Sequence, residues 1–255
     1  MTANTPKLPI QTVIVGASGR MGLTLQQCLR EDSRFETAAL LVREESAQAR
    51  KPSAMFGLSY STDLASEITR STVVIDFSLP EAFDSVLHAC VTAGAALVCG
   101  TTGLTDEQRR SLAEAGESIP VLYAPNMSVG VQVMLDLVRA AAQFLGPDYD
   151  IELSETHHRF KKDAPSGTAR RLLEALEQAV NERDGKPSEI PWHSIRGGDV
   201  VGDHSVFFMG LGDRIEITHR ATDRSTFAKG ALRAAAWLHG RPPGRYSMAD
   251  VLAGE

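Results

Sequence analysis

Between residues 12 and 124, short β-branched runs alternate with amphipathic stretches, the hydropathy pattern of a parallel sheet covered by helices. Residues 12–15 are expected to form the first strand and residues 20–29 the helix behind it, with Met21, Leu25, Cys28 and Leu29 at helical spacing on one buried face. Further strands are expected at residues 37–42, 73–77, 95–99 and 121–124. Pro80 leads a helix that Gly94 closes: a first-turn residue needs no N–H bond, and glycine accepts the backbone geometry of a helix exit. Thr105 and Gln108 have the spacing of a capping box for a helix reaching Gly116. This succession is that of a Rossmann-like, doubly wound parallel sheet, an α/β domain over residues 1–128.

After Asn126 the rhythm changes to a helix over 129–145, a strand over 149–156 and a second helix ending near Asp184-Gly185. Residues 206–209 and 214–218 alternate apolar and polar side chains around Gly210-Leu211-Gly212-Asp213, as in a hairpin of a sheet with one exposed face. Residues 226–239 return to helical spacing. A separate C-terminal α+β domain over 129–237 is expected, with residues 238–255 packing back to complete the first domain.

The chain has 255 residues, with 26 Lys and Arg against 32 Asp and Glu, a net charge of −6 that argues against a broad nucleic-acid footprint. Cys28, Cys90 and Cys99 fit no metal-ligand spacing and sit among apolar neighbours, as reduced core thiols of an intracellular protein do. The first ten residues lack an apolar signal core, and no apolar stretch approaches the ~20 residues of a membrane span. A cytoplasmic protein without membrane or nucleic-acid partners is expected.

Against this acidic background the segment from Glu155 to Thr168 stands out as a local basic cluster. His157 and His158 titrate nearest neutrality, so they give or take a proton with little tuning. Ser166-Gly167-Thr168 opens a run of helix formers, and backbone N–H groups at a helix start seat an anion. Adjacent histidines on a regular strand point to opposite faces, so both meet one ligand only if the strand ends there. No metal is expected, since His157-His158, His204 and His219 lack zinc spacing and no acidic cluster accompanies them.

A second candidate lies near the start. Gly16-Ala17-Ser18-Gly19-Arg20-Met21-Gly22 follows a strand and opens a helix, the setting in which a glycine-rich turn binds a pyrophosphate. The end of the second strand reads Leu40-Leu41-Val42-Arg43, with no carboxylate for an adenosine ribose, whereas Arg43 suits a 2′-phosphate. NADPH is favoured over NADH on that ground, although Glu44 and Glu45 keep NADH open and Arg43 can equally be a solvated loop charge. Gly100-Thr101-Thr102-Gly103 follows another strand at its carboxyl end, where ligands bind in open α/β sheets. Asn126 either bonds a nicotinamide amide or caps the following helix; Asp76 either caps a turn or lines the cofactor cleft.

These segments, with Ile75-Asp76-Phe77-Ser78 and the stretch from Ala124 to Val131, make the chain resemble the bacterial 4-hydroxy-tetrahydrodipicolinate reductases, also called dihydrodipicolinate reductases, over nearly its whole length. The resemblance implies an NAD(P)H-dependent reductase of diaminopimelate and lysine biosynthesis, acting on a small dicarboxylate. It further implies an N-terminal cofactor domain, a C-terminal substrate and oligomerisation domain, and a homotetramer. His157 and Lys161 match the family's proton-transfer residues, and His158, Gly167 and Thr168 its substrate-binding positions. Gly16, Ala17, Ser18, Gly19, Arg20 and Met21, then Gly100, Thr101 and Thr102, then Ala124, Pro125, Asn126 and Met127, match its cofactor-binding segments. The departure is at Leu41-Val42-Arg43, where the family commonly has an acidic residue before the arginine. Two other readings remain open: a nicotinamide-binding redox sensor without turnover, against which the basic cluster argues, and another two-domain dehydrogenase.

Overall fold

The computed structural model describes residues 8–48, 52–53, 55–186 and 188–254. Most of the first ten residues, on which the absence of a signal core rests, lie outside the described residues. In chain order the first part holds β1 (Ile10–Val15), α1 (Arg20–Arg30), β2 (Phe35–Leu41), α2 (Glu44–Gln48), β3 (Tyr60–Ser61), α3 (Leu64–Glu67), β4 (Thr72–Asp76), α4 (Pro80–Ala93), β5 (Ala96–Cys99), α5 (Asp106–Ala115) and β6 (Pro120–Tyr123). Then come α6 (Val129–Leu145), β7 (Asp150–His157), α7 (Gly167–Asp184), β8 (Trp192–Arg196), β9 (Gly202–Met209) and β10 (Arg214–Ala221). The chain closes with α8 (Ser225–Leu238), β11 (Gly244–Tyr246) and α9 (Met248–Ala253).

Contacts divide the chain into two compact units, Met1–Met127 with Phe227–Glu255, and Ser128–Thr226. In the first, the described strands form a parallel sheet in the order β11-β6-β5-β4-β1-β2-β3. Its middle strands are apolar on both faces: Val13, Ile14, Val74, Ile75, Leu97 and Val98 are all buried, and each such side chain removed from water contributes about 1.5–3 kcal/mol. The expected caps are present. Pro80 opens α4, Gly94 closes it at φ 69°, and Thr105 and Gln108 bond reciprocally at the start of α5. The chain returns to this unit at Phe227, earlier than residue 238, because α8 packs on it through small residues. An added Cβ on Gly230 would stand 1.7 Å from the Met127 carbonyl oxygen, and Ala228, Ala231, Ala234 and Ala235 are buried.

The second unit carries a sheet of order β10-β9-β7-β8, over which α6 and α7 pack through Val131, Met134, Val138, Leu172 and Leu176. The hairpin β9–β10 is longer than the alternation suggests, pairing Gly202 with Ala221 through Met209 with Arg214. β8 runs parallel to β7, making this sheet mixed. The sequence signal for β8 is weak because Trp-His-Ser-Ile-Arg is largely polar and none of it is buried. α2, β3 and α3 are likewise short and carry no periodic apolar pattern. Among the described residues no helix is long and apolar enough to cross a membrane.

Candidate active site

In the first sheet β1 is flanked by β2 on one side and β4 on the other, which is the point where the winding reverses and where open α/β sheets bind ligands. Here the carboxyl ends of β1, β2 and β4 border a cavity of 890 Å³ whose lining includes Gly16, Ser18, Gly19, Arg43, Ser46 and Ser78. Arg43 and the glycine-rich turn therefore share one cavity, with Glu44 also on its wall. Gly16 turns at φ 77°, and a Cβ there would lie 2.8 Å from the Phe77 carbonyl oxygen. Gly22 is closer still: its Cβ would meet the Gly16 and Ala17 carbonyl oxygens at 2.3 and 2.5 Å. Its close partner is thus the turn itself rather than the sheet. Gly19 caps α1 with no side-chain hydrogen bond, so no side chain of the cap occupies the first N–H groups of the helix, the kind of donors that seat an anion. Arg20 is exposed beside them, Met21 half-buried, and Ala17 buried. These features fit a dinucleotide's phosphates and, at Arg43, a 2′-phosphate.

Gly100, Thr101, Thr102 and then Ala124, Pro125, Asn126, Met127 follow β5 and β6 at the same carboxyl edge, outside the residues that line the cavity. Asp76 ties this edge together. Its carboxylate accepts from the Ser78 N–H at 2.8 Å and the Thr101 hydroxyl at 2.9 Å, while burial pushes its pKa up. Gly100 is required because a Cβ would enter the Phe77 ring at 2.4 Å. The helix cap after β6 is Ser128, whose hydroxyl accepts from the Val131 N–H, so the capping role considered for Asn126 belongs to its neighbour two residues on.

In the second unit, β7 ends at His157, so His158 leaves the strand and is no longer bound to face the opposite side. Period-2 alternation puts Ile151, Leu153, Glu155 and His157 on the buried face. Glu155 is 1% exposed. One of its oxygens accepts from Ser194 at 2.5 Å and Arg196 at 2.6 Å; the other contacts His157 Nδ1. Burial alone would raise the Glu155 pKa, but Arg196, Ser194 and His157 outweigh it and hold the carboxyl below its ordinary range. For His157 burial prevails over the attraction of Glu155, and its pKa falls. The His204 ring stands edge-on at 5.2 Å from that of His157 and bonds Ser166 at 3.0 Å. Burial drives His204 down to about 3, so it is neutral. Ser166 in turn accepts from the Ala169 N–H as the cap of α7. The His157 imidazole is therefore linked through one ring to the helix start that carries exposed Gly167 and buried Thr168. Lys161 pairs with Asp163 at 2.9 Å, and Arg196 also donates to the Asp163 carbonyl at 2.7 Å, holding the intervening loop. Arg159 and Lys162 are exposed.

Glu155, His157 and His204 place ligand atoms within 4.8 Å of one another, so an acidic partner does accompany two of the histidines, contrary to expectation from spacing. A cation there would have to break the contact between His157 Nδ1 and the Glu155 carboxylate and sit beside the Arg196 guanidinium on the same carboxylate. That donor set suits proton transfer better than a metal.

The chain matches the family described as dihydrodipicolinate reductase, N-terminus, over residues 10–127, and dihydrodipicolinate reductase, C-terminus, over residues 130–252. The chain belongs to the dihydrodipicolinate reductase family. It is 45% identical to the 4-hydroxy-tetrahydrodipicolinate reductase of Anaeromyxobacter dehalogenans over 95% of this chain and 97% of that one. The corresponding figures for the Pseudomonas fluorescens enzyme of the same name are 46%, 94% and 97%. A solved dipicolinate-bound dihydrodipicolinate reductase from Paenisporosarcina sp. TG-14 shares the fold with a TM-score of 0.79 at 24% identity, covering 94% of this chain and 98% of that chain.

Within this family member, several residues that shape the site carry little or no sequence signal. Gln26 is fully buried and donates to the Ala17 carbonyl at 2.8 Å, while Ser53 bonds its other end at 2.6 Å, fixing the glycine-rich turn from behind. Its position on the apolar face of α1 was the available clue. Arg196, Ser194 and His204 reach the His157 cluster from β8 and β9, which are separated from it by tens of residues and declared only by pairing.

Proposed function

We propose that this chain reduces 4-hydroxy-tetrahydrodipicolinate to tetrahydrodipicolinate at the expense of NADPH or NADH, the activity for which its relatives are named, in diaminopimelate and lysine biosynthesis. The observation that carries this reading is the line of contacts from His157 through His204 to Ser166, the cap of α7, with Lys161 held by Asp163 in the intervening loop. Residues 1–127 with 227–255 serve the cofactor in this reading, and residues 128–226 the substrate and the oligomer contacts. Exposed Val133, Leu137 and Phe144 along α6 support a homotetramer. Three buried cysteines, none of them in a disulfide, support a reducing, cytoplasmic setting.

When bound, the nicotinamide supplies a hydride to C4 of the dehydrated ring. The electron pair displaced by that addition leaves an enamine that needs one proton, and His157 or Lys161 donates it. The Gly167 and Thr168 backbone, with His158 and Lys161, binds and orients the two carboxylates. The assay is the loss of reduced-nicotinamide absorbance with freshly made product of the preceding synthase. Cofactor binding without turnover would favour a sensor instead.

Lys161→Ala is expected to lower kcat by ~10² or more, as loss of a proton donor does. It should also raise KM, because the same ammonium faces a substrate carboxylate; unchanged kcat in steady-state assays removes Lys161 from the proton-transfer role. The Arg43 side chain lines the cavity of the glycine-rich turn, so Arg43→Ala should raise KM for NADPH roughly tenfold, the loss of one charge-assisted bond, and leave that for NADH nearly unchanged. Equal effects on the two cofactors would dispose of the 2′-phosphate role.

A further inference from the structure

Glu155 is a buried carboxylate for which the chemistry above has no use. Leaving an ionised group inside a protein costs several kcal/mol unless its lone pairs are matched, so its environment has to be built. Here it is built by strand register. β8 lies parallel to β7 with Ser194 opposite Glu155 and Arg196 opposite His157, and both β8 side chains bond the same carboxylate oxygen. The other oxygen is reserved for His157 Nδ1.

We infer that Glu155, clamped by Arg196 and Ser194, is a positioning residue that holds His157 as its Nδ1–H tautomer and leaves Nε2 as the nitrogen that exchanges a proton with the substrate. The inference rests on the reading of His157 as a proton-transfer residue. An ionised carboxylate can only accept, so the hydrogen between the two side chains belongs to Nδ1. Nε2 has no hydrogen-bond partner among the described residues, yet it is not among their orphaned buried atoms. The space beside it is kept by Gly202, where a Cβ would stand 2.9 Å from Nε2. The arrangement parallels the logic by which a buried acid orients a catalytic imidazole elsewhere.

The charges around the ring fix the sign of the pH effect. Glu155 on the same strand raises the affinity of His157 for a proton; Lys161 in the following loop and Arg196 on β8 lower it. His204 on β9 is neutral, and Asp203 beside it is engaged by Arg220 at 3.8 Å. Neutralising Glu155 removes the one raising influence among these. The limb of the kcat/KM profile that reports His157 then moves to lower pH, whether the imidazole acts as acid or base.

The test has two arms. In wild-type protein, the ring nitrogens of ¹⁵N-labelled histidine, with His157 assigned by its disappearance in His157→Gln, should show Nδ1 protonated and Nε2 unprotonated above the titration. The opposite tautomer overturns the inference, and this arm needs no Glu155 variant to fold. In Glu155→Gln, kcat should fall about tenfold or more, towards the ~10⁴ lost when a triad aspartate is made neutral, with KM for the cofactor unchanged and the limb displaced to lower pH. Glu155→Asp should recover part of the rate. A folded Glu155→Gln with wild-type rate and an unmoved limb also overturns it. If His157→Gln is itself fully active, the fault lies with the proposed function; if only His157→Gln is impaired, it lies with the positioning role.

Discussion

His157→Gln is expected to lose ~10² to 10⁴ in kcat, the range that a positioned general acid or base supplies, while binding of the nicotinamide cofactor stays as in the wild type. The separation follows from the fold: His157 ends β7 in the second compact unit, and the glycine-rich turn and Arg43 belong to the first. Glutamine preserves a polar side chain near Glu155 but has no titratable nitrogen, so the chemical step should suffer far more than stability. The measurement is steady-state kcat and KM alongside a cofactor titration by fluorescence and a thermal melt. Wild-type turnover in a folded variant would remove His157 from the reaction. A large fall in melting temperature would instead mark the Glu155–His157 contact as mainly structural.

Gly22→Ala should be strongly damaging to the first unit. Its Cβ would fall 2.3 Å from one carbonyl oxygen and 2.5 Å from a second, and both belong to backbone that Gln26 and the Leu41 carbonyl already pin, the latter accepting from the Gly16 and Ala17 N–H groups at 3.0 and 3.1 Å. Relief therefore requires α1 to lift from the turn. Overpacking of this kind costs about 1–3 kcal/mol or more, and each kcal/mol lowers Tm by roughly 2–4 °C in a domain of this size class. Loss of cofactor affinity should accompany the fall in Tm, because the N–H groups proposed to seat the phosphates move with the helix. A variant with unaltered Tm and cofactor Kd would mean that the turn has another way to relax.

What the sequence disclosed and what it withheld divide along a physical line. Elements whose signal is local were readable: the apolar stripe of α1, the Pro80 and Gly94 ends of α4, the capping box of α5 and the whole length of α6. The candidate residues on one continuous segment, from His157 to Thr168, are legible as a local basic cluster ahead of a helix start, and their roles rest on the proposed function. The residues that complete the cluster were not, because strand pairing alone brings Ser194, Arg196 and His204 to Glu155 and His157. Zinc-type spacing along the chain says nothing about a carboxylate two residues before a histidine and a second imidazole on a neighbouring strand. α8 was assigned to the later unit because helical periodicity does not say which core a helix serves; the contact of Gly230 with Met127 does.

The last strand has a consequence for biogenesis. β11 pairs with β6 through residues 244–246, so the edge of the first sheet next to β6 stays bare while the ribosome makes everything between them. An uncovered edge is a template for pairing with other chains. Once residues 244–246 pair with β6, the outer strand on that side is β11, only three residues long, and so short a strand is a poor template for another chain.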